Sequence, residues 1–453
     1  MPGDVLDQIV KAYDVRGIVP EEFDGSVARA LGVGFATFTG ADRVIVGRDM
    51  RPSGPALVDE FARGLQEQGV DVIDIGLAST DMVYFAAGVL GAPAAVFTAS
   101  HNPAQYNGVK FCLDGARPVG IDSGLALVRD TAKAVLAGNG PRPAATPGRR
   151  SERDLLAAFA DHVLSFIDAS AISPMRVVAD VANGMGGLVV PAVFERLSVI
   201  DLEVMYPELD GTFPNHPADP IQPANQRDLR ARVASGGFDL GLAFDGDADR
   251  VFVVDEAAEG LSGSTTTAML AATVLRSEPG ATILHNLICS KSVPEVIVEH
   301  GGVPVRTKVG HSYIKQVMAE TGAAFGGEHS AHYYFARNFR ADSGLIASML
   351  LIEELSRGDR PLSVLRAPFE RYAASGEINT QVDDPGAVIE RVSAVHGSFP
   401  QDRLDGLSVE CGDWWFNLRP SNTEPLLRLN LEAVDRGRCD ERVAEMLQLI
   451  TSN

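Results

Sequence analysis

The sequence has no long apolar run and few cysteines, and each absence excludes a class of protein. No stretch reaches the roughly 18 apolar residues that a membrane-spanning helix needs, so we expect no membrane partner. The four cysteines lie far apart and form no CxxC pair, which predicts free thiols in a reducing compartment rather than a disulfide framework or a zinc knot. Residues 1–10 lack a basic patch followed by an apolar run, so we expect no signal peptide and a cytoplasmic protein.

Positive charge is also scarce. The chain has 39 basic and 60 acidic residues, a net charge of −21. Such a surface repels nucleic acid and anionic lipid, so we expect neither as a partner. It repels a phosphorylated substrate as well, so an anionic substrate requires a local basic cleft. Only six of the basic residues are lysines, and a lysine beside a chemical motif is notable because, unlike arginine, it can give up its proton.

The 453 residues exceed the size of one hydrophobic core, and their pattern predicts several α/β units. Strand and helix patterns alternate up to about residue 360, which favours mostly parallel sheets covered by helices. After Pro361, strands follow one another closely, as in a small α+β unit. We predict four domains with a cleft among them, at residues 1–146, 147–252, 253–366 and 367–453. The predicted strands include 44–47, 70–75, 94–98, 176–181, 202–205, 240–244, 282–286, 303–307, 323–325, 378–382, 407–410, 414–418 and 427–432.

A serine stands just past the end of a predicted buried strand, where open α/β sheets bind ligands. It is Ser100, in Thr98-Ala-Ser-His-Asn-Pro103, and the turn-forming residues around it present its hydroxyl on a tight loop. His101 and Lys110 are candidate proton partners for a serine nucleophile. The segment can equally be a turn whose Ser and Asn only bond backbone amides.

Three aspartates alternate along the next motif. Asp245, Asp247 and Asp249 offer the oxygen ligands that a hard cation such as Mg²⁺ or Ca²⁺ prefers. An EF-hand is excluded because Arg250 stands where that loop requires glycine, and a β run follows. Without a cation the three charges would repel each other, by about 1 kcal/mol per pair at 4 Å in water.

Further polar loops carry groups suited to sugars and phosphates. Glu328, Ser330 and His332 offer donors and acceptors for sugar hydroxyls. Arg419, Ser421, Asn422 and Thr423 form a candidate anion receptor between two predicted strands. Two more cationic segments, around Arg16 and from Lys308 to His311, suit an anion. Taken singly, each of these loops can also be a solvated turn.

Together, these motifs resemble those of the α-D-phosphohexomutase superfamily, and they follow its order along the chain. The matching segments are Tyr13–Gly17, Thr98–Lys110, Asp245–Arg250, Gly327–His332 and Arg419–Pro425. The Glu-His-Ser sequence at 328–330 resembles the corresponding sequence in the phosphomannomutase/phosphoglucomutase branch. The resemblance implies three related α/β domains with mixed sheets plus a C-terminal α+β domain, around a central cleft.

The resemblance also implies a role for each motif. Ser100 would carry a phosphate, and Asp245, Asp247 and Asp249 would hold Mg²⁺ together with the phosphoserine. The residues matched to the reacting phosphate are Arg16, His101, Lys110 and His311, with Arg250 and Lys308 at further active-site positions. Those matched to the sugar and to its non-reacting phosphate are Glu328, Ser330, His332, Arg419, Ser421, Asn422 and Thr423.

The implied reaction interconverts mannose 1-phosphate and mannose 6-phosphate through a hexose 1,6-bisphosphate, in a monomer or homodimer. Glucose phosphates stay open as substrates, because Ile288 stands where some members carry a basic residue. Phosphoglucomutase and phosphoglucosamine mutase are alternatives on the same fold. A Mg²⁺-dependent sugar phosphatase with an aspartate nucleophile is the alternative of another class, and a non-enzymatic sugar-phosphate binder is a third.

Overall fold

The computed structural model describes residues 4–420 and 426–452. The chain divides into two compact units, which we call the N-terminal unit (residues 1–261 and 332–363) and the C-terminal unit (residues 262–331 and 364–453). The fold has four domains: three contain α/β sheets, and the fourth contains an antiparallel sheet. Domains I and II lie in the N-terminal unit, and domain IV lies in the C-terminal unit. Domain III contributes residues to both.

Domain I is built on a six-stranded sheet in the order β1-β5-β4-β2-β3-β6. Its strands are β1 (Val15–Ile18), β2 (Arg43–Arg48), β3 (Asp71–Leu77), β4 (Ala94–Phe97), β5 (Tyr106–Cys112) and β6 (Arg150–Glu152). Its helices are α1 (Asp4–Ile9), α2 (Gly25–Thr39), α3 (Gly54–Glu67), α4 (Thr80–Leu90) and α5 (Leu125–Leu136). Aromatic rings fill the core between helices and sheet, with Phe35 and Phe111 stacked at 4.5 Å.

This sheet is mixed, as the resemblance implies, with three parallel and two antiparallel strand pairs. Strand β2 is parallel to β3 and β4, but β5 is antiparallel to both β4 and β1. The reason lies in the connection between β4 and β5, which is only eight residues long. A parallel pair needs a crossover of a dozen or more residues, so this short connection makes a hairpin. Ser100 lies in that hairpin loop.

Domain II has a four-stranded sheet in the order β10-β9-β7-β8. Its strands are β7 (Met175–Asp180), β8 (Ile200–Met205), β9 (Leu240–Phe244) and β10 (Val251–Asp255). Its helices are α6 (Leu156–Leu164), α7 (Gly186–Phe194) and α8 (Arg227–Ala234). Every residue of β9 and β10 is buried, and their antiparallel pairing places the three aspartates in the loop that joins them.

Domain III begins in the C-terminal unit with parallel strands paired in the order β12-β11-β13. The elements there are α9 (Gly263–Ser277), β11 (Thr282–Asn286), α10 (Ser292–Glu299), β12 (Val303–Thr307), α11 (His311–Thr321) and β13 (Phe325–Gly327). The chain then returns to the N-terminal unit with β14 (Tyr333–Phe335) and α12 (Gly344–Ser356), a helix that is buried over most of its length. Helix α13 (Leu362–Arg366) leads back into the C-terminal unit.

Domain IV is an antiparallel sheet in the order β15-β19-β18-β17-β16, with two helices packed on it. Its elements are β15 (Ala373–Gln381), α14 (Pro385–Val395), β16 (Gln401–Asp402), β17 (Leu407–Glu410), β18 (Trp414–Pro420), β19 (Leu426–Ala433) and α15 (Arg436–Thr451). Buried and more exposed positions alternate along β19, as expected for a sheet covered on one face.

The cysteines and the apolar helices bear on two expectations from the composition. All four cysteines fall within the described residues, where they are buried and form no disulfide. A search of 4–420 and 426–452 for a helix with the length and hydropathy of a membrane span finds none.

Candidate active site

Ser100 is presented by the hairpin loop between β4 and β5. Its backbone is left-handed, with φ 50°, and its amide donates to Thr98 Oγ1 at 2.8 Å. Gly108, opposite the loop on β5, leaves room for this turn, since a Cβ there would lie 2.8 Å from the Thr98 carbonyl oxygen. The hydroxyl of Ser100 donates to Asp245 Oδ2 at 2.9 Å. The serine is therefore held with its side chain directed at the aspartate cluster.

The three aspartates form a buried cluster in the loop between β9 and β10. Asp245, Asp247 and Asp249 are each at most 1% exposed, and one carboxylate oxygen from each lies within 4.8 Å of the other two. Gly246 allows this loop to contact the serine loop closely, because a Cβ there would lie 2.5 Å from the Ser100 carbonyl oxygen. The geometry therefore joins two motifs that lie 145 residues apart in the chain.

Lys110 neutralises part of this cluster. Its Nζ lies 2.8 Å from Asp247 Oδ2 and 2.9 Å from Asp249 Oδ2, and its side chain is 9% exposed. Burial alone would lower the pKa of Lys110, but the two carboxylates outweigh it and raise the pKa well above its usual range. Thr80 adds a hydroxyl donor to Asp247 Oδ2 at 2.6 Å. Lys110 is thus held as a cation at neutral pH.

The cluster retains oxygen atoms that could bind a cation. Within the described residues, nothing donates a hydrogen bond to Oδ1 of Asp247 or to Oδ1 of Asp249, although both atoms are buried. A buried carboxylate oxygen without a partner is costly, and a bound divalent cation would satisfy it. The donor set is oxygen alone, which suits Mg²⁺. These residues therefore fit the cation that the sequence predicts.

The aspartates differ in their protonation because their partners differ. Burial raises the pKa of Asp245 to about 7, although Arg250 opposes this by donating from Nε to Asp245 Oδ2 at 2.8 Å. Burial also acts to raise the pKa of Asp247, but the nearby Lys110 outweighs it and holds the pKa below its usual range. Of these two, Asp247 is held the more firmly as an anion, because Lys110 bonds to it directly.

His101 is held between Ser100 and Arg250. Its Nδ1 lies 3.3 Å from Ser100 Oγ and 2.7 Å from Arg250 Nη2. Because a guanidinium only donates, Nδ1 must accept from Arg250, so the ring carries its proton on Nε2. Burial, with Arg250 and Arg16 close by, lowers the pKa of His101 well below its usual range. His101 is therefore a neutral imidazole in this arrangement.

Arg16 lies on β1 and contacts the same loop from another side. Its Nε donates to Asp14 Oδ2 at 2.8 Å, and Nη1 donates to Asn102 Oδ1 at 2.5 Å. Strand β1 pairs with β5, which carries Lys110. The sheet therefore brings the N-terminal cation to the serine loop, as the motif order predicts.

His332 also lies beside the cluster, in the N-terminal unit. Its Nδ1 is 2.8 Å from Asp342 Oδ2 and 3.9 Å from Asp249 Oδ1. Burial would lower the pKa of His332, but Asp249 and Asp342 outweigh it and raise the pKa. These three residues form a second group of possible ligands, but its imidazole makes it less suited to Mg²⁺ than the three aspartates.

The remaining predicted residues lie in the C-terminal unit. Glu328 is buried, and its Oε2 accepts from Asn286 Nδ2 at 3.0 Å and from the Gly310 amide at 3.2 Å. Lys308 is exposed, with Nζ 5.6 Å from the centre of the Tyr313 ring, and Ser330 is half-buried. Strand β18 carries Arg419, whose Nη2 donates to Glu377 Oε2 at 3.0 Å. The side chain of His311, and the whole of Ser421, Asn422 and Thr423, lie outside the described residues.

Several residues that hold the site together lie outside the predicted motifs. Asp49 and Arg51 support the serine loop, Thr80 bonds to Asp247, and Asp342 bonds to His332. Only the first two had a local signal: the charged segment Arg48-Asp49-Met50-Arg51 follows a buried strand, as the serine motif does. Thr80 and Asp342 are recognisable only from their place in the fold.

Four family models, one for each domain, match almost the whole chain. They are described as phosphoglucomutase/phosphomannomutase alpha/beta/alpha domains I, II and III and the C-terminal domain of that family. The matched residues are 7–134, 157–260, 262–372 and 377–449.

Individual relatives are similar over nearly their full lengths. A protein named Phosphohexose mutases from Xanthomonas campestris pv. campestris is 39% identical over 97% of this chain and 98% of its own. A phosphomannomutase from Salmonella montevideo is 39% identical over 98% of each. The crystal structure of a phosphoglucomutase/phosphomannomutase family protein from Burkholderia thailandensis is 31% identical, has a TM-score of 0.87 and covers 98% of each chain. The superfamily that the motifs predicted is confirmed: this chain belongs to the phosphoglucomutase/phosphomannomutase family.

Proposed function

We propose that this chain is a phosphomannomutase in which Ser100 carries the phosphoryl group. The observation that carries the proposal is the hydrogen bond from Ser100 Oγ to Asp245, within a buried cluster whose Asp247 and Asp249 each keep an oxygen for a cation. A serine fixed against a divalent-cation site suits phosphoryl transfer, which depends mainly on positioning and charge neutralisation. The names of the relatives support mannose phosphates as substrates.

Mg²⁺ fits this site, and Asp245, Asp247, Asp249 and the phosphate on Ser100 would hold it. Bound there, it would supply positive charge next to the transferring phosphoryl group. The three aspartates and a phosphoserine of charge near −2 together carry about −5, so protein cations are needed as well. Lys110, Arg250 and Arg16 lie within or beside the cluster and supply them.

In the first half-reaction, the bond between phosphorus and the Ser100 oxygen breaks and a bond to the free hydroxyl of a hexose monophosphate forms. The hydroxyl loses a proton, and the Ser100 oxygen gains one. Lys110 is held protonated and stabilises the transferring charge. The neutral His101 lies beside the Ser100 oxygen, with Nδ1 3.3 Å from Oγ. In the second half-reaction, Ser100 takes the other phosphate from the hexose 1,6-bisphosphate. No water is consumed and no free phosphate is released.

The residues of the C-terminal unit recognise the sugar and its second phosphate in this proposal. Glu328, Ser330 and His332 bind sugar hydroxyls, as the resemblance implies. Arg419, Ser421, Asn422 and Thr423 bind the phosphate that is not being transferred, where an arginine can bind two oxygens at once. Lys308 and His311 contribute charge or protons near the substrate.

The proposal is tested by following the phosphate on the enzyme. After priming with glucose 1,6-bisphosphate, intact-mass measurement should find one added phosphate on the wild-type chain and none on Ser100→Ala. Turnover of mannose 1-phosphate should fall at least about 10⁴-fold in Ser100→Ala, since the covalent carrier is lost. Ser26→Ala, a serine of the same domain away from the loop, is the matched control. A Ser100→Ala enzyme with normal turnover would overturn the proposal.

The same experiment separates the alternatives. A Mg²⁺-dependent phosphatase with an aspartate nucleophile would release free phosphate and carry no phosphoserine. Parallel assays with mannose 1-phosphate, glucose 1-phosphate and glucosamine 1-phosphate, each with trace bisphosphate, compare the mutase specificities directly. The highest kcat/KM on the mannose phosphate is the expected result.

A further inference from the structure

The side chain of Arg51 is buried directly beneath the serine loop. It is 0% exposed, and each of its five N–H donors has an acceptor. Nη2 donates to the carbonyl oxygens of Ser100 at 2.9 Å and Asn102 at 2.7 Å, and Nη1 to those of Pro103 at 2.8 Å and Tyr106 at 2.7 Å. The fifth donor, Nε, bonds to Asp49 Oδ2 at 3.1 Å. One side chain thus binds the backbone at four points, three in the loop and one at the first residue of β5.

Asp49 fixes the guanidinium in this place. It stands at the end of β2, its amide donates to the Phe97 carbonyl at 2.9 Å, and its Oδ1 accepts from the Arg51 amide at 3.0 Å. Asp49 therefore holds the guanidinium in a fixed position relative to the ends of strands β2 and β4. A loop residue such as Ser100, with φ 50°, needs such outside support to keep its conformation.

A loop of domain II covers Arg51 from the other side. The Phe213 ring centre lies 5.3 Å from the guanidinium carbon, and a Cβ on Gly211 would lie 2.6 Å from the Arg51 Cα. This cover removes Arg51 from water, which strengthens its hydrogen bonds to the loop. The serine loop is therefore supported jointly by domains I and II.

We propose that Arg51 is a positioning residue that holds the Ser100 hydroxyl toward Asp245. It bonds the Ser100 carbonyl and not the hydroxyl, so it acts through the backbone of the loop. This role rests on the proposed function of Ser100 as phosphate carrier. Lysine has the charge of arginine but three donors on one atom, so it cannot bind four separated carbonyls in a plane.

The test compares Arg51→Lys with wild type in two measurements. In the first, single-turnover phosphorylation of Ser100 by glucose 1,6-bisphosphate is followed by intact mass, with kcat and KM for mannose 1-phosphate. We expect the phosphorylation rate and kcat to fall about 10²-fold, the usual effect of misplacing a reacting group by about 1 Å, with KM within about threefold. In Arg51→Ala, added guanidinium ion should restore part of the rate. Arg150→Lys is the matched control, because Arg150 bonds Asp59 and Asp74 at the edge of the same domain.

The second measurement does not depend on activity. Amide hydrogen exchange without substrate should rise over residues 99–106 in Arg51→Lys and stay at the wild-type level in domain IV. If Arg51→Ala fails to fold, Asp49→Asn, which weakens the fixation of Arg51, should give a smaller change in the same direction. Unchanged exchange and unchanged phosphorylation in Arg51→Lys would overturn the positioning role. A wild-type chain that takes up no phosphate would instead overturn the proposed function, while the exchange result would still report on the loop.

Discussion

The aspartate cluster of the N-terminal unit differs in exposure from three proposed recognition residues of the C-terminal unit, Lys308, Ser330 and Arg419. Ser100 and the three aspartates are at most 4% exposed, and each of their side chains has a close charged or polar partner. Lys308 is exposed, and Ser330 and Arg419 are half-buried. In the proposed function, the groups that take part in phosphoryl transfer are packed and charge-compensated, whereas these three groups, which would meet the substrate, are more accessible. Glu328 is the exception among the proposed recognition residues, because it is 2% exposed.

Burial gives the cluster its chemistry and also makes it sensitive to change. Taking carboxylates out of water disfavours their charged form, and here Lys110 and Arg250 compensate for it unequally. Removing one partner from such a group leaves an uncompensated buried charge, which destabilises a protein far more than the loss of an exposed ion pair. Changes in the cluster should therefore reduce both activity and stability, and changes in the recognition residues should reduce substrate binding alone.

Withdrawal of divalent cation should give the largest effect. With a chelator present, turnover should fall more than about 10⁴-fold and return when Mg²⁺ is added, because the cluster then lacks the compensating charge of the cation. Hydrogen exchange should rise over residues 98–112 and 240–255 and stay constant in domain IV. Asp247→Asn is the control, and its exchange should no longer respond to the chelator. An equal rise in hydrogen exchange in the N-terminal and C-terminal units would contradict the idea that the cation stabilises the aspartate cluster specifically.

Replacing Lys110 should have the next largest effect. Lys110→Met leaves Asp247 and Asp249 without their cation, so we expect kcat to fall about 10³-fold and the free energy of unfolding to fall by about 3–5 kcal/mol. Lys133→Met is the matched control in the same domain, because Lys133 forms an exposed pair with Asp7. The free energy of unfolding of Lys133→Met should fall by no more than about 1 kcal/mol. The check is kcat together with thermal unfolding. Equal destabilisation by the two changes would show that burial does not decide the effect.

Arg419 should behave as a recognition residue. Arg419→Met would remove the phosphate contact proposed for Arg419, so we expect KM for mannose 1-phosphate to rise about 10- to 100-fold with kcat within about threefold. The melting temperature should change by less than about 2 °C. Arg403→Met, which affects the exposed pair of Arg403 with Glu390 in the same domain, should leave KM unchanged. A loss of kcat at constant KM would instead place Arg419 in the chemical step.

The elements that the sequence predicted are those with a strong local pattern. Strands β9, β11 and β12 match the predicted ranges to the residue, because each is a short β-rich run bounded by turn signals. Helix α2 was missed, since Gly32 and Gly34 lower the helical signal. In the structure these glycines permit close packing: a Cβ on Gly32 would lie 2.2 Å from the Phe61 carbonyl of α3. Tertiary contact there outweighs local propensity.

A similar limit applies to the candidate site. Ser100, Asp245 and Lys110 were found because each lies in a dense motif, and the structure brings all three together. Thr80 and Asp342 each contact the site through another side chain, and their spacing in the sequence has no chemical signature. Such residues are identified only when the fold shows what they contact.

Asp81 gives the smallest predicted effect and separates burial from catalysis. It is fully buried at the start of α4, where it accepts from Ser343 Oγ at 2.6 Å and from Ser79 Oγ, and burial raises its pKa to about 7. Because this folded pKa lies above the unfolded value of 3.8, the stabilisation linked to protonated Asp81 is complete below pH 3.8. It is lost as the pH rises to about 7, by up to about 1.4 kcal/mol per pH unit.

Asp81→Asn should therefore have a melting temperature that falls less than that of the wild type between pH 5.5 and 7.5, with a difference of about 2 °C. Asp122→Asn, at an exposed aspartate of the same domain, should follow the wild-type pH dependence. Parallel curves for Asp81→Asn and wild type would mean that Asp81 is ionised throughout this range. Asp81 is as buried as Asp245 and Asp247, but among the described residues it has no cation as a hydrogen-bonding partner. Its carboxylate is stabilised only by hydroxyl groups, so its response to pH measures the desolvation that the catalytic cluster offsets with lysine and arginine.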